Sequence, residues 1–211
     1  MVFFLNRLLS KETTTYKTLQ SLSEGLYKEK GSKFIAYASP CSNEQEAKEL
    51  LGEWKKNNHQ ARHLCYAYRF GVENYTIRAN DDGEPSNSAG TPILGQIQSF
   101  ELTNILIGVI RYFGGTKLGV GGLVQAYKTA AKEAIEAGEI ITEQLKVTLE
   151  IAFPYEKMPV LMHLIKTHKI KILSQEFDLN CSIIIEYPLR QNNLIFPLLN
   201  DIPLLEITKK L

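Results

Sequence analysis

Much that would mark a specialised chain is scarce here. Only three of the 211 residues are cysteines, Cys41, Cys65 and Cys181. An odd number set far apart makes neither a disulfide framework nor zinc-ligand spacing, so no metal or other cofactor is expected, and a reducing cytosol is the expected compartment. No apolar run approaches the roughly 18 residues of a membrane span. The opening stretch MVFFLNRLLSKETT has a short apolar patch but no small-residue cleavage site, so no signal peptide is expected. Charge of either sign is not in excess: 24 basic residues against 23 acidic ones leave a net +1. That argues against a nucleic-acid binder working by bulk charge, and leaves room for a local cationic pocket. Low-complexity tracts and repeats of solenoid period are absent too.

What remains is globular. Hydrophobic residues make up 44% and charged residues 22%, ample for a core and enough chain for one or two domains. Glycine divides the chain: residues 80–122 hold 9 of the 14, and 141–211 hold none. A glycine-rich middle points to backbone conformations that other residues avoid. A boundary is therefore expected between Gly138 and Glu143, giving domains 1–140 and 141–211.

Pattern places the elements of the first domain. Residues 31–39 read as a strand. Residues 43–58 read as a helix capped at Ser42 or Asn43, with Ala47, Leu50, Leu51 and Trp54 on one face and a Glu44–Lys48 pair outside. Strands are expected at 64–71 and 74–79 around a turn, then a loop over 80–90. A short helix follows, capped by Thr91 with Pro92 in first position. The run TNILIGVIRY, 103–112, has the apolar continuity of a strand buried on both faces. A glycine loop at 114–122 leads into a helix over 123–137 that stops at Gly138.

The second domain alternates cleanly. Leu145, Val147, Leu149 and Ile151 form one inward row, and Phe177, Leu179, Cys181, Ile183, Ile185 and Tyr187 another. Met158, Leu161, Met162 and Ile165 lie between at helical spacing. The order strand–helix–strand–strand–helix–strand is that of a ferredoxin-like α+β domain. Pro197 inside 192–199 is expected to kink the second helix.

Three stretches carry candidate chemistry. The first is Arg111 to Lys128, RYFGGTKLGVGGLVQAYK. Glycines let backbone N–H groups converge, and a helix N-terminus adds partial positive charge, which together hold a phosphate or carboxylate. Arg111, Gly114, Gly115, Lys117, Gly119, Gly121, Gly122 and Lys128 are the candidate anion contacts. The pattern is neither a Walker A loop nor a dinucleotide fingerprint. Packing alone is the other reading of these glycines. The second stretch is Ala79 to Pro92, where Asp81, Asp82 and Glu84 crowd together beside Ser86 and Ser88. It reads as a turn and helix cap, as a recognition loop, or as an acid–base or Mg²⁺ site. The third is Ala61 to Tyr68. His63 and Cys65 share a strand face, either as an activated thiol or as ordinary buried side chains. Tyr66 and Tyr68 share the other face, as core or as a stacking surface for bases. His63 and Tyr66 are thus supporting candidates.

Together these stretches resemble the YigZ/IMPACT family. The resemblance is carried by GSKF at 31–34, ARHLCYAYR at 61–69, DDGEPSNSAGTPIL at 81–94 and VIRYFGGTKLGVGGLVQAY at 109–127. It covers about 30–140, and the tail is similar to the smaller C-terminal domain of bacterial members. The resemblance implies a two-layer α/β first domain, like a ribosomal small-subunit protein domain and the fourth domain of elongation factor G. It implies a ferredoxin-like tail like that factor's fifth domain. Eukaryotic relatives regulate translation with the help of an additional N-terminal domain. For bacterial members the implied role is nucleic-acid or ribosome binding, on fold grounds. Asn87 stands where the family has Gly, and Gln125 where it has a basic residue in the helix's first turn.

The expected function is a non-enzymatic binding protein whose glycine loop grips RNA or another anionic part of the translation machinery, with no membrane partner. The competing expectation is an enzyme on a small phosphorylated or carboxylated substrate, with Asp81, Asp82 or Glu84 as acid–base groups. A protein–protein adaptor using the tail's sheet is the third.

Overall fold

The computed structural model describes residues 14–72, 74–177 and 181–210. The opening stretch tested for a signal peptide, and Leu179, lie outside them. Two compact units emerge, one of Tyr16–Glu143 and one holding Gln144–Leu211.

The first unit is built on a five-stranded sheet of order β2-β3-β6-β4-β5. Its strands are β2 (Ser23–Glu29), β3 (Ser32–Pro40), β4 (His63–Phe70), β5 (Thr76–Asn80) and β6 (Ile105–Tyr112). A separate two-stranded ladder pairs β1 (Thr15–Leu19) with β7 (Ile140–Gln144). Helices α1 (Glu44–Asn57), α2 (Gly90–Ser99) and α3 (Gly119–Ala137) cover the larger sheet. Strand β6 runs through its middle, and Ile105–Arg111 are all buried, as the apolar run requires.

Each face of β6 meets a different helix layer. Ile105, Ile107 and Val109 join Phe34, Ala36, Cys65 and Ala67 against α2 and α3. Leu106 and Ile110 join Leu64, Tyr68 and Trp54 against α1. The unit therefore has three layers where two were expected, because α1 buries Ala47 and Trp54 on the face opposite α3. Gly108 makes room for this: a Cβ there would sit 2.8 Å from the Trp54 ring. Alanines 126, 130, 131 and 134 let α3 lie close on the other side. Asn43 caps α1 by accepting the Glu46 N–H at 2.9 Å, while Glu44 accepts from the Tyr68 hydroxyl instead of pairing with Lys48.

The second unit is an antiparallel sheet of order β11-β8-β10-β9. Its strands are β8 (Lys146–Phe153), β9 (Lys171–Glu176), β10 (Cys181–Pro188) and β11 (Glu206–Lys210), with α4 (Met158–Thr167) after β8 and α5 (Asn192–Asn200) after β10. This is the βαββαβ order that the alternation implied. Val147, Leu149, Ile151, Ile183, Ile185 and Tyr187 point into one core with Leu161, Ile165, Ile195 and Leu199. Each such side chain contributes about 1.5–3 kcal/mol by leaving water. Phe177 falls past the end of β9 and is exposed. Helix α5 runs on through Pro197 and is anchored at its start, where the Tyr187 hydroxyl donates to Asn192 at 2.9 Å.

Candidate functional site

One end of the five-stranded sheet gathers all three candidate stretches. Antiparallel register aligns Tyr27, Phe34, Arg111 and His63 in a row across four strands. The β2–β3 turn, the loop after β6 and the loop after β5 all emerge at that end.

The acidic loop spends its carboxylates internally. Asp81 accepts the N–H groups of Asn87, Ala89 and Gly90 at 2.8–3.0 Å, and so caps α2 from nine residues away. Helix α2 begins at Gly90 with no cap from its neighbouring side chains, so Asp81 does the work expected of Thr91, whose hydroxyl donates to Asn87. Asp82 accepts the Leu64 N–H at 2.8 Å, and its carbonyl lies 2.7 Å from His63 Nδ1. Ser88 is buried and donates to the Pro85 carbonyl, while Ser86 is exposed. Asn87 has φ 60, the left-handed geometry that Asn adopts more readily than most residues other than glycine.

Glu84 reaches furthest inward. Its Oε1 accepts from Arg111 Nη1 at 2.7 Å and from the Tyr127 hydroxyl at 2.8 Å. The two side chains of the ion pair are only 8% (Arg111) and 4% (Glu84) exposed. Arg111, expected among the anion contacts, is therefore held by Glu84, although its Nε has no partner. Cys65 lies beside this group, its thiol donating to the Asp81 carbonyl at 3.0 Å and 3.4 Å from the Tyr127 hydroxyl. Burial pushes that thiol well above its usual range, which removes the reading of an activated nucleophile. Burial likewise raises Tyr127. Tyr66 belongs to the α1 face, stacked on Tyr68 at 6.4 Å, away from this group.

The glycine loop is the opposite case. Helix α3 starts at Gly119, four residues before the expected start. Its N-terminus has no side-chain cap and no acidic residue in its first turn. Gly114 is a packing residue: a Cβ there would sit 1.8 Å from the Gly31 carbonyl carbon, and its N–H donates to Ser32 Oγ at 3.1 Å. Gly115, Gly119 and Gly121 face open space, with nothing within 4 Å of an added Cβ, while at Gly122 a Cβ would meet Leu118 at 3.0 Å. Gln125 lies in the second turn and donates to Thr129. Lys128 is the tenth helical residue, about 13 Å along the axis, too far to join the N-terminus.

Cations missed by sequence reasoning lie at the same end of the sheet, Lys28 and Lys33 on the face that Tyr112 shares with α1. Lys30 sits in the β2–β3 turn, and Lys28 and Lys33 are directly opposed across β2 and β3. Lys33 is also opposite Tyr112, and Arg62 precedes the start of β4 beside them. With Lys117 this makes five exposed cations at one end of the sheet. Among the described residues none of them forms a salt bridge. Only the strand register reveals this cluster, because the residues are up to 89 positions apart. Among the described residues no three His, Cys, Asp or Glu side chains converge as metal ligands, and no helix is long and apolar enough to cross a membrane.

Comparison with known proteins agrees with the motifs. The Impact N-terminal domain matches residues 30–135, half of the chain. An IMPACT family member of Bacillus subtilis, YvyE, is 36% identical over 67% of this chain and 65% of its own length. An IMPACT family member of Haemophilus influenzae is 31% identical over 74% of this chain and 77% of its own length. The crystal structure of a hypothetical protein shares the fold at TM-score 0.75 and 22% identity, over 94% of this chain and 98% of that one. With half its residues inside the domain model and most of a curated relative spanned, the chain belongs to the IMPACT family.

Proposed function

We propose that this protein is a non-enzymatic binding module that grips a nucleic acid of the translation machinery by its phosphates. The reading rests on one observation: the end of the sheet from which the loop to the uncapped N-terminus of α3 departs carries five exposed cations that, among the described residues, have no ion-pair partners. Opposed like charges such as Lys28 and Lys33 destabilise a strand pair. A bound polyanion removes that repulsion. The helix N-terminus adds N–H donors and partial positive charge, and Gly115, Gly119 and Gly121 leave the approach clear. Family membership supports placing the ligand in translation, where the resemblance puts the eukaryotic relatives. The binding reading is favoured over the enzymatic alternative, because Asp81 and Asp82 are engaged by backbone N–H groups and Glu84 by Arg111 and Tyr127.

The test is an anisotropy titration of a labelled mixed-sequence RNA with the full chain across a range of salt. Three to five phosphate contacts give a slope of log affinity on log salt of about −2 to −4. A slope near zero overturns the proposal.

A further inference from the structure

Resting on that reading, we infer that the nucleic acid bound at this end of the sheet is single-stranded, with one unpaired base stacked on Phe113. Phe113 is 53% exposed on a loop whose other apolar residue, Leu118, is packed against the core. Its neighbours fix it in place: Tyr112 ends β6 and donates to Asn58 at 2.9 Å, and Gly114 is pressed against Gly31 and bonded to Ser32. The Arg111 guanidinium lies 5.5 Å from the centre of the ring. That side chain is nine-tenths buried and its Nε has no partner, so the ring is backed by a fixed cation from within the fold.

An exposed aromatic ring alone is ordinary on a protein surface. Here it shares one sheet end with exposed cations that, among the described residues, lack ion-pair partners, Lys117 on its own loop and Lys30 in the β2–β3 turn, and with the open start of α3. A ligand that matches all of these carries negative charge along its length and an exposed planar ring beside it. A duplex offers the charge but keeps its base faces inside the stack. A single strand offers both, and stacking on an aromatic side chain tolerates any base.

The experiment compares a labelled unstructured RNA strand of about 12 nucleotides, within the site sizes of known single-strand binders, with a duplex of the same length. Both are titrated with wild-type chain, Phe113→Ala and Phe113→Trp at several salt concentrations. The expected result is that the strand binds about tenfold tighter than the duplex. Phe113→Ala loses that advantage while the salt slope and the duplex affinity stay put. Phe113→Trp keeps it, and its added fluorescence is quenched by the strand and not by the duplex. Equal affinity for strand and duplex, or Phe113→Ala binding like wild type, overturns this inference and leaves the phosphate-binding reading standing. Absence of salt-dependent binding to either RNA overturns both. Thermal melts of the variants accompany the titrations, and the quenching arm decides the matter if Phe113→Ala is destabilised.

Discussion

Two loops leave the same end of one sheet and treat their polar groups in opposite ways. The loop at 80–90 carries Asp81, Asp82 and Glu84, and every one of these carboxylates is bonded inside the protein. The loop at 113–118 and the first turn of α3 carry no side-chain cap, and their one cation, Lys117, has no ion-pair partner among the described residues. Crowded charge in a sequence therefore says little about binding. What matters is whether the fold has already satisfied it. An internally bonded carboxylate is scaffold, whereas an uncapped helix start beside the exposed Lys117 has polar groups still unspent.

This contrast can be broken from either side. Glu84→Ala should have the largest effect. It strands the Arg111 charge in a buried site, and about 3–5 kcal/mol of stability should vanish in a denaturant melt. Adding Arg111→Met should recover much of that loss, since the pair would be replaced by apolar volume. Asp81→Ala comes next. It removes the acceptor for three N–H groups at the start of α2 and should cost about 2 kcal/mol, with Asp81→Asn in between. Its RNA salt slope should equal that of wild type. A changed slope in Asp81→Ala would mean that the acidic loop is itself part of the interface.

Substitutions in the glycine loop should show the reverse pattern. Lys117→Ala should melt with wild type but lower the salt slope by about 0.7, the share of one phosphate contact on a single strand. Gly121→Val should fold, because nothing stands within 4 Å of the new Cβ, and should weaken RNA binding by shielding the first-turn amides. If both variants bind like wild type, the loop is not the contact.

The smallest effect concerns alkaline pH. Burial pushes the Cys41 thiol from 9.0 up to about 12. A thiol raised on folding adds stability that is complete below pH 9 and is lost as pH rises toward 12. Cys41→Ala should therefore flatten the decline of melting temperature over that window, whereas RNA binding at neutral pH stays unchanged.

How much of this was legible in the sequence depends on range. Local signals were strong: Asn43 as a cap, the alternation around Ile183, the buried run at 105–110 and the left-handed Asn87 all follow from neighbouring residues. Strand β2 was missed because Gly25 interrupts its apolar face. That glycine is needed because a Cβ would sit 2.4 Å from the Ala134 nitrogen on α3. The start of α3 was placed late because three of its first four residues are glycine, a poor helix former, so all four read as loop. The Glu84–Arg111 pair spans 27 positions and the lysine cluster spans four strands and loops. Such groupings depend on strand register, which a single chain of letters does not display. Phe113 was legible only as one letter of a motif. Its exposure became meaningful once the sheet had placed Lys30 and Lys33 at the same end.

The touching backbones of Gly31 and Gly114 have a consequence for timing. Gly114 sits in a solvent-facing loop, yet its amide proton is held by Ser32, a residue sealed within the sheet. In deuterated water that proton should exchange at the slow pace of the β3–β6 ladder, while Gly115, one residue along, exchanges within the dead time of the measurement. The loop would then behave as a short free rim hinged on a rigid pin, so a guest could reshape the rim without prising open the sheet beneath it.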